Sequence, residues 1–456
     1  MKNEQNRREF LKNISGGTLA VAAASVAAPV SKAAIVSNDS GKLALLGGPS
    51  LNTNKVLGKK WPHIDEELIE SVMKTTKSGI WSRIQSANGT VATFEKEFAK
   101  QIGCSYSVGT GSGTQALSTA VLALGIGPGD EVITSPYTDF GTISAILTSR
   151  ALPVLVDLDP ESFQLDPDLV EKAINKNTKA IMPVHIMGLP ANMERIMAIA
   201  AKYKLKVIED SCQAPFSRYQ GKPIGTIGDL GCFSFQASKA IACGEGGAVV
   251  GNDQALMDEC FTIQNRGASR AGKNETIGPK YRMNEFEGAV LMGQIAGAKE
   301  RFEIRNANAA YLNAKLSEIP GITPQKHYPG TESGSYYHYG VSYNKASFNN
   351  TDRAVFLKAM NAEGIPVGSY IKSGLHREPW VDHIIGLNDY KTMYSAQRLK
   401  EYKASMVLPQ CDKICNETLV SFWGSGILLG TREEMDMIVN AFAKVYENRE
   451  KLASVK

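Results

Sequence analysis

The chain has 456 residues, 43% hydrophobic and 21% charged, the composition of an ordinary globular protein long enough for two domains. Its 50 basic and 46 acidic residues leave a formal charge of +4 and are spread along the chain, with no basic block or aromatic-basic stripe, which argues against a nucleic-acid binder. The seven cysteines, odd in number and irregular in spacing, outline neither a disulfide framework nor a zinc site; Cys411 and Cys415 are the one close pair, leaving a bond between them open.

At the N-terminus, Asn6-Arg7-Arg8-Glu9-Phe10-Leu11-Lys12 precedes an Ala/Gly/Ser-rich apolar stretch from Ile14 to Ala28, then Pro29 and small residues around Ser31-Lys32-Ala33. Paired arginines, apolar stretch and cleavage pattern follow in the order of a twin-arginine export signal over residues 1–33, which predicts a periplasmic bacterial protein. The apolar stretch is too short to span a membrane, which takes about 20 residues, so no anchoring is expected after cleavage.

From about Phe94 to Glu300, short β-branched runs alternate with helical patterns. Strands are predicted at Glu131 to Thr134, Pro153 to Asp157, Ala180 to Val184, Lys206 to Glu209, Gly231 to Phe235 and Ala248 to Gly251. Between them Asp166 to Ile174 and Met193 to Tyr203 carry apolar residues at helical spacing. This is the pattern of a doubly wound, mostly parallel α/β domain over residues 42–300. Beyond Arg301 a charged helix to Leu316, Pro- and Gly-punctuated strands, a helix end at Met360 to Gly364 and a closing helix from Arg432 to Arg449 predict a smaller C-terminal α/β domain, 301–456.

Several residues stand where chemistry is done. Gly111-Ser112-Gly113-Thr114-Gln115 opens a helical pattern whose first N–H groups suit a phosphate. Asp210 ends an apolar strand, where ligands of open α/β sheets sit, although such an Asp equally serves as a helix cap. Lys239 lies in a small-residue loop five positions after Ser234; glycines at 244, 246 and 247 allow close backbone approach to a buried ligand. Alone, a loop lysine is a solvated charge.

The run from Val207 to Gly247 joins these features: Val-Ile-Glu-Asp-Ser-Cys-Gln-Ala, then Gly228-Asp229-Leu230-Gly231-Cys232-Phe233-Ser234-Phe235-Gln236-Ala237-Ser238-Lys239, then Gly244-Glu245-Gly246-Gly247. It resembles the DegT/DnrJ/StrS aminotransferases, fold type I enzymes that use pyridoxal 5'-phosphate (PLP), and the resemblance spans roughly Leu43 to Asn448. It implies Lys239 as the Schiff-base lysine, Asp210 on the pyridine nitrogen, Gly113, Thr114 and Ser234 on the phosphate, and Gln213 near the phenolic oxygen. The family's ring-stacking aromatic falls at or beside Phe140, while an ungapped register puts Asp139 there. Lys280 stands where the family carries an asparagine that reaches the cofactor phosphate of the neighbouring subunit. His185 also matches, but reads as a structural histidine.

The chain ends, Leu43-Ala44-Leu45-Leu46-Gly47-Gly48-Pro49 with Trp61-Pro62, and Leu428-Leu429-Gly430 before Met435-Asp436, look like the branch containing scyllo-inosose aminotransferases and aminohydroxybenzoate synthases. The resemblance implies a homodimer that moves an amino group from glutamate or glutamine to a keto-sugar or keto-cyclitol. Two alternatives are a PLP-dependent sugar dehydratase, in which the lysine is replaced by histidine, and a non-catalytic PLP- or sugar-binding homologue. An enzyme that takes up its cofactor in the cytoplasm has a physical reason to use a route that exports folded proteins.

Overall fold

The computed structural model describes residues 41–453 apart from residue 55; the segment read as an export signal, 1–33, lies outside the described residues. In chain order the strands are β1 (Tyr106–Thr110), β2 (Glu131–Thr134), β3 (Leu152–Leu155), β4 (Thr178–Met182), β5 (Lys206–Asp210), the hairpin pieces β6 (Arg218–Tyr219) and β7 (Lys222–Pro223), β8 (Leu230–Ser234), β9 (Gly247–Gly251), β10 (Ile322–Pro324), β11 (Thr331–Ser333), β12 (His338–Tyr343) and β13 (Leu419–Trp423). Seven of them form one sheet in the order β1-β9-β8-β5-β4-β2-β3. The pairs β8/β5, β5/β4, β4/β2 and β2/β3 are parallel, and β9 runs antiparallel to both its neighbours. The carboxyl ends of β1, β2, β5 and β8 therefore lie along one edge, where the start of β9 joins them.

Alternation along the strands explains why both faces are covered. Ile208, Cys232 and Val249 pack under the helices Gly113–Ala123 and Gln254–Gln264. Their neighbours Val207 and Phe233 point the other way, into cores shared with helices Met193–Tyr203 and Thr90–Ile102. This is the doubly wound arrangement expected from the sequence. The predicted strands are present with ends shifted by no more than two residues, and helix Met193–Tyr203 has the predicted bounds. Strand β1 was not expected: Tyr-Ser-Val-Gly-Thr has no apolar run, and its pairing with β9, Val108 opposite Val249, supplies the order its composition does not.

The sheet β10-β12-β13 is antiparallel and shares a core with helices Ala298–Leu316, Arg353–Ala362 and Arg432–Glu447, with Leu43 buried in it. The intervening stretch packs instead on the large sheet: the hydroxyls of Tyr390, Tyr394 and Tyr402 donate to the carbonyls of Ala151, Asp130 and Pro153. Cys411 and Cys415 are free, buried thiols there, so the bond left open by the sequence is not formed. Among the described residues no helix is long and apolar enough to cross a membrane.

Candidate active site

A cavity of about 450 Å³ opens on the carboxyl edge of the large sheet. Four strand ends feed it: Ser112, Gly113 and Thr114 after β1, Thr138 and Asp139 after β2, Asp210, Cys212 and Gln213 at and after β5, and Ser234 to Lys239 at and after β8. Tyr337 and Tyr370 close it from the C-terminal half of the chain.

Asp210 is 3% exposed, yet its carboxylate is held by two donors, the Thr142 hydroxyl to Oδ2 at 2.7 Å and the Cys212 N–H to Oδ1 at 3.2 Å. The carboxylate, oriented by these two donors, faces the cavity, where it can meet a ligand cation. Gln213 is locked at both ends: the Met187 N–H donates to its Oε1 at 2.7 Å, and its Nε2 donates to the Tyr370 hydroxyl at 3.1 Å. Burial pushes the Tyr370 hydroxyl well above its ordinary value, so it stays a neutral phenol with a proton of its own to donate.

Lys239 is 9% exposed, and its loop is pinned by side chains far away in sequence. Trp61 Nε1 donates to the Lys239 carbonyl at 2.9 Å, while Trp423 Nε1 and Ser425 Oγ donate to the Ser238 carbonyl at 3.0 Å each. The ammonium sits 4.1 Å from the centroid of the Tyr337 ring, whose hydroxyl bonds Ser238 Oγ at 2.9 Å. No carboxylate is within ion-pairing distance of Lys239 among the described residues, so the amine is tethered but not quenched. Beside it His338, its ring tilted against that of Tyr370 with centroids 4.3 Å apart, is pushed down to about 3 by burial and by the Lys239 charge, and is a neutral imidazole at pH 7.

The phosphate end is built from close contacts. A Cβ on Gly113 would lie 2.6 Å from Cβ of Ser234, and one on Gly247 would lie 2.3 Å from the Ser112 carbonyl oxygen. Glycine at both positions lets the start of helix Gly113–Ala123 sit against the ends of β8 and β9, beside the hydroxyls of Thr114 and Ser234. A helix start with adjacent hydroxyls suits a phosphate, a buried carboxylate suits a protonated ring nitrogen, and an unpaired lysine suits an aldehyde. The residues present therefore fit PLP.

The structure brings Gly113, Thr114, Asp210, Gln213, Ser234 and Lys239 together as the sequence predicts. It corrects the placement of Phe140, which is not among the lining residues: its ring, 40% exposed, lies 6.0 Å from that of Trp380. Helix Phe140–Thr148 begins one residue after Asp139, whose carboxylate caps it through the Gly141 N–H, and this turn puts Asp139 rather than Phe140 on the cavity. Lys280 is exposed and off the cavity of its own chain. His185 is structural: fully buried, it receives the Ala191 N–H on Nδ1 at 3.0 Å, so Nε2 carries the proton given to Glu209 at 3.1 Å. Tyr337, Tyr370 and Thr142 went unread, because nothing local marks them and each lies at least 97 residues from Lys239.

The sequence profile of the DegT/DnrJ/EryC1/StrS aminotransferase family matches residues 62–421. The L-glutamine:scyllo-inosose aminotransferase of Streptomyces griseus is 32% identical over 89% of this chain and 98% of its own. The spore coat polysaccharide biosynthesis protein SpsC of Bacillus subtilis is 34% identical over 78% and 92%. Among solved structures, 3-amino-5-hydroxybenzoic acid synthase superposes with a TM-score of 0.73 at 27% identity, covering 86% of this chain and 99% of that one. NtdA from Bacillus subtilis with bound pyridoxamine phosphate superposes at 0.70 and 25% identity, covering 84% and 83%. The cavity, its lysine and these similarities agree: the chain belongs to the DegT/DnrJ/EryC1/StrS aminotransferase family and is a PLP-dependent aminotransferase.

Proposed function

We propose that this aminotransferase takes its amino group from L-glutamine and delivers it to an uncharged polyhydroxy ketone, a keto-cyclitol or free keto-sugar. The observation that carries the reading is the cavity's lining. Among the described residues Lys239 is its one cation, set among eight hydroxyl-bearing residues and the carboxylates Asp139, Asp210 and Glu245. Beyond Thr114 and Ser234 at the phosphate end, the hydroxyls of Thr138, Tyr337 and Tyr370 suit a polyol, whereas a nucleotide diphosphate would call for cations besides Lys239, which the described residues do not place in the lining. The glutamine donor is supported by relatives named for it, one of them the L-glutamine:2-deoxy-scyllo-inosose aminotransferase of Streptomyces kanamyceticus, 32% identical over 88% of this chain and 97% of its own.

Bound PLP would supply the electron sink that acidifies the donor's α-carbon. Asp210, positioned by Thr142 and the Cys212 N–H, holds a proton at the ring nitrogen. Lys239 Nζ then takes the proton from the α-carbon of the donor and, in the reverse direction, returns one to the carbon that was the acceptor's carbonyl. Tyr337 positions that amine, and the neutral His338 adds no competing charge beside it.

Two further elements belong to this reading. A second copy of the chain completes the site, with Lys280 reaching the partner's cofactor phosphate; exposed Trp81, Ile84 and Ile277 give that copy an apolar surface to cover. Residues 1–33 direct export, and a periplasmic enzyme meets free rather than nucleotide-activated ketones; replacing Arg7 and Arg8 by Lys is expected to leave the protein in the cytoplasm on fractionation, and unchanged export would refute that element. The substrate reading is tested by turnover with L-glutamine against scyllo-inosose, 2-deoxy-scyllo-inosose and a nucleotide-linked keto-hexose. It predicts kcat/KM at least about a hundredfold higher for the uncharged ketones, about 2.7 kcal/mol in transition-state binding. Preference for the nucleotide sugar would overturn it.

A further inference from the structure

A second cavity, of about 440 Å³, opens at the other end of β1. Its wall includes Ser105, Tyr106 and Ser107 at the start of that strand, while the catalytic cavity begins at Ser112. Five residues at about 3.3 Å each put roughly 16 Å between the two, and they share no lining residue. Helix Thr90–Ile102 supplies Glu95, Lys96 and Lys100, and loops on either side supply Arg83 and Arg270.

The lining holds four cations against one carboxylate. Glu95 pairs with one of these cations, Arg83, through Nη2 at 2.8 Å and also receives the Gly109 N–H at 2.9 Å, which leaves Lys96, Lys100 and Arg270 without a carboxylate in the lining. Arg83 keeps a buried Nε with no hydrogen-bond partner, and Ser107, nine-tenths buried, has an unpartnered Oγ. Lys96 has no ion-pair partner among the described residues, and Lys100 meets Glu97 only at 3.9 Å. Arg270 holds Asp258 in an exposed pair, which competes weakly with a ligand. Burial pushes the Cys104 thiol up to about 11, so it adds no negative charge at neutral pH. An unmade hydrogen bond on a buried polar group costs about 1–3 kcal/mol, and two of them in a lining of net positive charge, with Lys96 free of any ion pair among the described residues, point to an anion as the missing partner.

We propose that this cavity binds a small multivalent oxyanion, the chemistry shared by phosphorylated metabolites and polycarboxylates, with Arg83, Ser107, Lys96 and Arg270 as its donors. The site is separate from the amino-transfer chemistry and does not depend on the substrate reading.

Calorimetric titration of the PLP-saturated protein at fixed ionic strength tests it, because the catalytic phosphate cradle is then filled. Pyrophosphate and citrate, titrated in parallel, separate a phosphate-type from a polycarboxylate-type ligand. The expected result is saturable binding of at least one of them with Kd of about 1 mM or tighter, weakened at least about tenfold in Lys96→Gln/Arg270→Gln. The control Lys172→Gln/Lys176→Gln, which removes the same charge from exposed lysines outside the cavity, is expected to bind as wild type. Absence of saturable binding of both probes up to about 10 mM, or equal weakening in the control, overturns the proposal.

Discussion

At the scale of single residues, the cavity works by holding one amine, Lys239, out of ion-pairing reach of every carboxylate among the described residues. His338 records this arrangement. Its imidazole is held down to about 3 first by burial and then by the Lys239 charge, against about 6.5 in the unfolded chain. Between those values the unfolded chain binds the additional proton, so the His338 contribution to stability is intact above pH 6.5 and is lost as pH falls towards 3. At pH 5 the loss is about 2 kcal/mol. Glu287 acts oppositely: burial and the nearby Glu245 raise its carboxyl to about 7, so acidification below 7 favours the folded state through that group. Urea unfolding of the cofactor-free protein at pH 7 and pH 5 separates them. His338→Phe is expected to remove about 2 kcal/mol of the acid-induced loss, and an unchanged pH difference would contradict the assignment.

The residues legible in advance were those marked locally. Lys239, Ser234 and Asp210 lie in one run of the chain, and Gly113 and Thr114 open a helix with a Gly-rich start. Tyr337 and Tyr370 arrive from the residue before β12 and from the loop beyond helix Arg353–Ala362, so only the folded chain joins them to Lys239. The choice between Asp139 and Phe140 turned on a single residue of helix phase, which the sequence leaves open and the Asp139 cap decides.

At the scale of elements, the stretch Leu375–Cys415 is fastened to the large sheet by polar contacts as well as by its tyrosines. Glu131, at the start of β2, is fully buried and receives both Arg398 Nε at 2.6 Å and Arg398 Nη2 at 2.8 Å, a bidentate clamp from helix Ala396–Ala404. Removing the arginine leaves a buried carboxylate with only the Asn175 and Asn177 amides. Arg398→Met is therefore expected to cost about 3 kcal/mol in chemical unfolding at pH 7. A loss below about 0.5 kcal/mol would show that the clamp is solvated and weak. Sequence patterning located helix Met193–Tyr203 and strand β2 closely because their periodicity is strong, and missed β1 because its order comes from β9.

At the scale of the whole molecule, the doubly wound sheet sets four strand ends along one edge, and the C-terminal half covers the cavity they form. The proposed second copy covers the apolar residues left outside. Ile277, 94% exposed and three residues before Lys280, should lie in that contact. Ile277→Asp is expected to shift the protein from dimer to monomer in sedimentation velocity and to weaken PLP retention; an unchanged dimer would place the contact elsewhere.

The central claim, that Lys239 performs amino transfer in this cavity, is tested most directly by the visible spectrum of the PLP-loaded protein before and after adding L-glutamine or, separately, L-glutamate, alongside Lys239→Ala. A Lys239-dependent band that disappears with release of one equivalent of keto acid in the wild type, at a rate about 10² to 10⁴-fold above the variant's, is the predicted result. A band that forms equally without Lys239, or one that L-glutamine and L-glutamate both leave unchanged, would contradict the account.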